Sequence, residues 1–112
     1  MHAIELPDLY FSSVRTRDID RFISLFADDA IMIMPDGREI SGAAAIRKME
    51  LSVFESASPP SPRPVFVVTG EDAVAVEIAV HLPSGAVLKM ANFFELNSEG
   101  RIRRLSVYRK TG

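Results

Sequence analysis

A chain of 112 residues, 47% hydrophobic and 25% charged, has the composition of one globular domain with a single hydrophobic core. It contains no cysteine, which excludes disulfides and thiolate metal sites, and its two histidines are too few for a multi-histidine site. We therefore expect neither a metal nor a cofactor, and a net charge of −2 gives no reason to expect a nucleic-acid partner.

The same sequence gives no reason to expect a membrane partner. No apolar run reaches the roughly 20 residues that a membrane-spanning helix requires. The first residues, Met-His-Ala-Ile-Glu-Leu-Pro, lack the basic region and apolar core of a secretory signal. We expect a cytoplasmic protein.

Three helices are predicted in the first half of the chain. The first covers residues 3–15, where apolar residues recur at helical spacing (Leu6, Leu9, Tyr10 and Val14). The second begins after Asp18, a favourable N-cap residue. The third begins at Gly42 after Ser41, and its apolar stripe comprises Ile46, Met49 and Val53, with Glu50 mostly off the stripe.

A short strand is predicted between the second and third helices. Asp28 and Asp29 close the second helix, and the run Ile31-Met32-Ile33-Met34 is typical of a buried strand. The Pro35-Asp36-Gly37 sequence that follows is a turn, because proline presets φ and glycine accepts a positive φ.

The second half of the chain has the period-two alternation of strands. A proline-rich connector, residues 56–64, ends the third helix, because proline removes a backbone donor and restricts the residue before it. Strands are then predicted at 65–69, 73–82, 87–96 and 102–110, separated by glycine-containing turns. Three helices followed by an antiparallel meander indicate an α+β fold with the helices on one face of a curved sheet.

The order Asp28-Asp29-Ala30, strand, turn and Gly42 at the start of a helix resembles the nuclear transport factor 2-like superfamily, and within it the ketosteroid isomerases and SnoaL-like polyketide cyclases. The resemblance covers Tyr10 to Tyr108. It implies a cone-shaped, cystatin-like fold in which three N-terminal helices pack on a strongly bent antiparallel sheet around an apolar cavity. We expect residues 1–112 to form one SnoaL-like domain.

The ketosteroid isomerase pattern implies roles for particular residues. Its oxyanion-hole tyrosine corresponds to Tyr10, eight residues before Asp18. Its general-base aspartate, directly before a proline, corresponds to Met34, so the usual base is absent. Its second oxyanion donor corresponds to Asn92, four residues before Leu96, and an asparagine can donate a hydrogen bond without a raised pKa.

Strand alternation adds further cavity candidates. If Asn92 faces inward, so do Met90 and Phe94. The resemblance places Glu77 and His81 inward on the preceding strand, as candidate catalytic residues, and Leu105, Val107 and Arg109 inward on the last strand. The alternatives are that His81 and Glu77 are surface groups, that Tyr10 and the methionines only fill the core, and that Arg109 belongs to a solvated basic edge.

In that orientation the branched aliphatic residues of the strand, Val74, Val76, Ile78, Val80 and Leu82, form an apolar patch on the convex face. Apolar patches of this kind mark interfaces, and relatives commonly dimerise through that face, so we expect a homodimer.

The sequence therefore favours a small-molecule pocket protein. The first hypothesis is an isomerase, cyclase or lyase that acts on a hydrophobic carbonyl or polycyclic compound, with Tyr10 and Asn92 stabilising an enolate-like oxygen. The alternative is a non-catalytic binding or dimerisation module of the same fold.

Overall fold

The computed structural model describes residues 2–56 and 61–110. A 3₁₀ turn, Ala3–Glu5, precedes the helices α1 (Leu6–Arg15) and α2 (Ile19–Ser24). Strands β1 (Phe26–Ile33) and β2 (Glu39–Ser41) lead to helix α3 (Ala43–Phe54). Four longer strands follow: β3 (Ser61–Thr69), β4 (Ala73–His81), β5 (Val87–Leu96) and β6 (Ile102–Arg109). Within these ranges, no helix is long and apolar enough to cross a membrane.

The six strands form one sheet in the order β2-β1-β6-β5-β4-β3, with the helices packed against it. The predicted α+β class is therefore confirmed. One detail differs, because the sheet is mixed: β1 runs parallel to β6, while the other four pairings are antiparallel. The short hairpin to β2 occupies one edge of β1, so the last strand pairs with its other edge.

An aromatic cluster joins the helices to the sheet. The side chains of Phe11, Phe22, Phe26 and Phe94 are almost completely buried. The ring of Tyr10 lies at their centre, 5.0 Å from the rings of Phe11 and Phe94 and 5.3 Å from that of Phe22, measured between centroids. Edge-to-face packing of this kind adds to the free energy gained by burial, so the cluster holds α1 firmly on the sheet.

Helix α2 ends earlier than predicted. Strand β1 already begins at Phe26, which is opposite Ile102 of β6, and the N–H of Ile102 donates to the carbonyl of Leu25 over 2.8 Å. Asp28 and Asp29 therefore lie within the strand and are exposed, where the β1–β6 register is interrupted. The prediction that they close the helix is wrong, because pairing with a distant strand outweighs the local helical pattern.

Gly42, and not Ser41, is the N-cap residue of α3. Its φ is +92°, and its N–H donates to the carbonyl of Ala30 on β1 over 2.7 Å. Ser41 belongs to β2. Gly42 therefore connects β2 to α3 through a left-handed backbone that other residues adopt only with strain.

We expect Gly42→Ala to destabilise the protein by about 1–2 kcal/mol, because an L-residue with a Cβ is strained at positive φ. Urea unfolding followed by circular dichroism measures the change. Gly70→Ala is the matched control, because Gly70 is not among the positive-φ glycines and an added Cβ would meet the Ala73 carbonyl at an ordinary 3.4 Å. Equal stability losses in the two variants would contradict the assignment of strain to Gly42.

Strand β3 begins earlier than predicted, at Ser61, and includes Pro62 and Pro64. Because β3 is an edge strand, a proline with no N–H to donate is tolerated there. Residues 57–60 of the predicted connector lie outside the described residues.

Candidate active site

A cavity of about 270 Å³ lies between the inner face of the sheet and helices α1 and α3. The helices contribute Tyr10, Phe11, Val14, Met49, Glu50 and Val53 to its wall. The sheet and its loops contribute Met32, Met34, Pro62, Ile78, Val80, Leu82, Leu88, Met90, Asn92 and Val107. Four methionines among mostly aliphatic residues make an apolar, adaptable wall with few polar groups, which is typical of ligand sites.

Tyr10 lies at the closed end of the cavity, where the aromatic cluster holds its ring. Burial raises the pKa of the Tyr10 hydroxyl well above its usual value of 10.0, and the nearby charge of Glu50 raises it further. The phenol therefore stays protonated at neutral pH, and can donate a hydrogen bond to a ligand atom.

Glu50 is the one carboxylic acid among the described residues of the cavity wall. It lies on α3 between the buried Ile46 and Phe54, which are four residues before and after it. Burial raises the pKa of its carboxyl from 4.5 to about 7. None of the ion pairs formed within the described ranges includes Glu50. A carboxyl group with this pKa exists in both protonation states at neutral pH and can accept or donate a proton.

Asn92 lies on β5 and is 6% exposed. It is opposite Val76 of β4 and Val107 of β6, so its side chain lies on the inner face of the sheet. Asn92 and Val107 both line the cavity. The amide is therefore placed where its N–H₂ group can donate to a bound ligand, as the sequence predicts for this position.

The polar ends of these three side chains are not bonded to one another. None of the side-chain hydrogen bonds among the described residues involves the Tyr10 hydroxyl, the Glu50 carboxyl or the Asn92 amide. No fully enclosed side-chain nitrogen or oxygen there lacks a partner either. The hydroxyl, carboxyl and amide groups thus retain access to the cavity, and are free to bind a ligand.

The prediction that Glu77 and His81 face the cavity is wrong. Along β4 the even-numbered residues Val74, Val76, Ile78 and Val80 are buried, while Glu77 and His81 are exposed on the opposite face. The pairing of β4 with β5 explains this orientation, because residues directly opposite each other point to the same side and Asn92 is opposite Val76. The aliphatic patch predicted for the convex face is, for the same reason, part of the core and cavity wall.

The other predicted ligand-binding residues lie on the inner face, at different depths. Met34, Met90 and Val107 line the cavity. Phe94 and Leu105 are buried in the core beside its closed end, with Phe94 against the ring of Tyr10. Arg109 is opposite Met90, so it shares the inner face, and it is exposed at the end of β6.

Glu50 was missed as a site residue. The sequence does contain a signal for it, because Ile46, Glu50 and Phe54 follow one another at intervals of four residues, along one side of a helix. A carboxylate within such an apolar row is unusual, and it indicates either a partner or a function. Among the described residues there is no cluster of three or more histidine, aspartate or glutamate side chains that could hold a metal ion.

The family model for the SnoaL-like domain matches residues 8–105 of this chain. The chain therefore belongs to the SnoaL-like domain family. No curated protein sequence matches it.

Solved structures share the fold over nearly the whole chain. A protein from Sphaerobacter thermophilus is 28% identical, with a TM-score of 0.83, over 100% of this chain and 99% of that one. A protein of Sinorhizobium meliloti named as a candidate polyketide cyclase is 24% identical, with a TM-score of 0.78, over 96% and 99% of the two chains. A protein of Kribbella flavida named as a candidate ketosteroid isomerase is 19% identical, with a TM-score of 0.84, over 96% and 76%.

Proposed function

We propose that this protein is an acid–base enzyme, an isomerase, cyclase or lyase acting on a compact hydrophobic carbonyl compound, with Glu50 as the group that moves the proton. The observation that carries this proposal is the Glu50 carboxyl, with a pKa of about 7, in an apolar cavity that it shares with Tyr10 and Asn92. This carboxyl supplies a base on α3 in place of the aspartate that is absent at Met34.

The chemistry can be written with Tyr10, Glu50 and Asn92 alone. The Glu50 carboxylate takes a proton from the carbon next to the ligand's carbonyl; the C–H electrons form a C=C bond, and the carbonyl π electrons move to oxygen. The hydroxyl of Tyr10 and the amide N–H₂ of Asn92 donate hydrogen bonds to this enolate oxygen. In an isomerisation, Glu50 returns the proton to another carbon of a conjugated enolate, and the carbonyl reforms. In an elimination, the carbonyl reforms, a C=C bond forms to the next carbon, the bond from that carbon to the leaving group breaks, and Glu50 protonates the leaving group. In a cyclisation, the enolate carbon bonds to a second carbonyl carbon of the same ligand, whose π electrons move to its oxygen, and Glu50 protonates that oxygen.

The size of the cavity supports a compact ligand. Its volume of about 270 Å³ is just below the roughly 300–1,000 Å³ typical of sites for drug-sized ligands. We therefore favour a one- or two-ring compound over a larger polycycle. The structural relatives named as a candidate polyketide cyclase and a candidate ketosteroid isomerase support a carbonyl substrate.

The experiment that tests the proposal follows exchange of the α-protons of small aryl ketones in D₂O by NMR. Wild-type protein should accelerate exchange of at least one ketone, and Glu50→Gln should remove the acceleration. Ketone binding with no accelerated exchange would overturn the catalytic proposal in favour of a non-catalytic binding module.

We also propose that the protein is a homodimer formed through the outer face of the sheet. We call the apolar surface there the outer patch: Phe66, Val68, Phe93 and Tyr108, each at least 48% exposed. The rings of Phe93 and Tyr108 pack edge to face at 5.4 Å, and the patch borders a depression of about 720 Å³. Exposed aromatic surface of this kind is typical of an interface. In a two-fold dimer the outer patch of one copy packs against the same apolar patch of the other.

We retain the cytoplasm as the proposed location.

We expect wild-type protein to sediment at twice the chain mass at micromolar concentration and Phe93→Arg to sediment as a monomer, because an added charge at the centre of an apolar contact is left unpaired. The control is Ile4→Arg, which changes another exposed apolar residue, outside the sheet. A monomeric wild type, or a Phe93→Arg dimer, would contradict this assignment.

A further inference from the structure

The cavity opens at one identifiable end. Along β6 the inner-face residues become progressively more exposed: Leu105 is fully buried, Val107 is partly buried and Arg109 is exposed. Likewise, Met32 on β1 is buried, and Met34, just beyond the end of β1, is partly exposed. The closed end therefore lies at the aromatic cluster, and the open end lies where β6 finishes.

Arg109 is fixed at this open end. It is opposite Met90, a residue of the cavity wall, and Leu88, which also lines the cavity, lies two residues farther out on β5. The N–H of Lys110 donates to the carbonyl of Lys89 over 2.9 Å, so the strands remain paired beyond Arg109. The Cβ of Arg109 must therefore point to the cavity side of the sheet.

No carboxylate among residues 2–56 and 61–110 forms an ion pair with the guanidinium of Arg109. The three ion pairs among the described residues involve Arg47, Arg103 and Arg104, and none includes Arg109. Arg109 itself does not line the cavity, but it is directly opposite Met90, which does, and its side chain leaves the sheet on the same face. Its five N–H donors suit a planar anion, because a guanidinium binds a carboxylate through two parallel hydrogen bonds.

We propose that Arg109 forms an anion-binding subsite at the open end of the cavity, and that the ligand is a keto acid whose carboxylate binds there. This inference rests on the proposed function, because it uses the same cavity and gives its substrate class. The apolar part of the ligand occupies the methionine-rich wall, its carbonyl oxygen lies near Tyr10 and Asn92, and its carboxylate reaches Arg109.

The spacing of the residues sets the length of such a ligand. Asn92 is opposite Val107, and Arg109 is two residues farther along β6, roughly 7 Å away at the rise of an extended strand. Depending on its conformation, the arginine side chain shortens or extends this distance by the length of a few bonds. A short chain between a ketone and a carboxylate, as in 5-oxo-5-phenylpentanoate, matches it.

The test compares the binding of 5-oxo-5-phenylpentanoate with that of its neutral amide, by titration calorimetry. Wild-type protein should bind the acid about five- to tenfold more tightly than the amide, as expected for a charge-assisted hydrogen bond at a partly exposed site, and less so at high salt. Arg109→Gln should remove this preference without changing amide binding. Lys89→Gln is the matched control, because it removes the same charge from the opposite face of the adjoining strand.

The outcomes separate this inference from the proposed function. Equal binding of acid and amide, unchanged in Arg109→Gln, would overturn the anion subsite and leave the carbonyl chemistry of Glu50 intact. If Arg109→Gln and Lys89→Gln reduce the preference for the acid equally, the subsite is also overturned, because the net positive charge of this region would then explain the preference. If neither compound binds, both the subsite and the ligand cavity on which it rests are overturned.

Discussion

The Glu50→Gln variant is expected to exchange ketone α-protons about 10²–10⁴-fold more slowly than the wild-type protein, the range typical for loss of a general base. Glutamine keeps the size and polarity of the side chain and cannot take up a proton at neutral pH. Ketone affinity should change little, because the apolar wall and the donors Tyr10 and Asn92 remain. The effect should therefore appear in the rate of exchange and not in the dissociation constant.

The pH dependence of exchange gives a second signature of the same group. Because the carboxylate is the active form of Glu50, the wild-type rate should rise with pH and level off above the pKa of about 7. Glu50→Gln should show no inflection there. Glu55→Gln is the matched control, since Glu55 is exposed at the end of the same helix. If Glu50→Gln keeps the full rate and the same inflection, another residue moves the proton.

Helical periodicity predicted α3 correctly, but it did not identify Glu50 as a residue of the cavity. The stripe Ile46, Met49 and Val53 lines one side of the helix, and Glu50 lies between these positions, at i+4 from Ile46. A carboxylate is normally assigned to the solvated face of an amphipathic helix. Here the cavity beside the helix leaves room for a polar group within the apolar face. The row of Ile46, Glu50 and Phe54 indicates an unusual carboxylate, and the structure shows that a cavity lies beside it.

The orientation of β4 could have been predicted from its turn. The N–H of Leu82 donates to the carbonyl of Ala86, so Pro83-Ser84-Gly85 is a three-residue hairpin loop, and Gly85 has a φ of +90°. This loop places Leu82 opposite Ala86, two even-numbered residues. Every even-numbered residue of β4 is therefore opposite an even-numbered residue of β5. Because Asn92 faces inward, Val76 must also face inward, and Glu77 must face outward.

Other features depend on contacts between distant parts of the chain. The parallel pairing of β1 with β6 joins residues more than 70 positions apart, such as Phe26 and Ile102, and no local periodicity predicts it. The position of Tyr10 on α1 and Glu50 on α3 in the wall of one cavity is likewise a result of packing. The resemblance to the SnoaL-like family predicted the fold and the inward position of Asn92. The position of Glu50 in the same cavity wall as Tyr10 and Asn92 was found only in the structure.

Glu50→Gln is also expected to stabilise the protein at pH 8, by about 1–3 kcal/mol relative to wild type. The difference between a pKa of 4.5 in the unfolded chain and one of about 7 in the folded chain corresponds to about 3 kcal/mol, and partial exposure of the carboxyl to the cavity reduces it. Below pH 4.5 the carboxyl is protonated in both states. As the pH rises from there through 7, the unfolded chain ionises first, so the stability contributed by the neutral carboxyl is lost.

Urea unfolding of the two proteins between pH 4.5 and 8 measures this difference. The stabilities should be close at pH 4.5, where glutamine resembles the protonated carboxyl, and should diverge until the pH passes about 7. Glu55→Gln, an exposed change of the same kind, should show no such divergence. Parallel pH profiles for wild type and Glu50→Gln would mean that the carboxyl is well solvated, with an ordinary pKa. If Glu50→Gln loses exchange activity and gains stability at pH 8, then the carboxyl in the apolar wall lowers the free energy of unfolding while it serves the reaction. Such a loss of stability is expected where a residue is maintained for function.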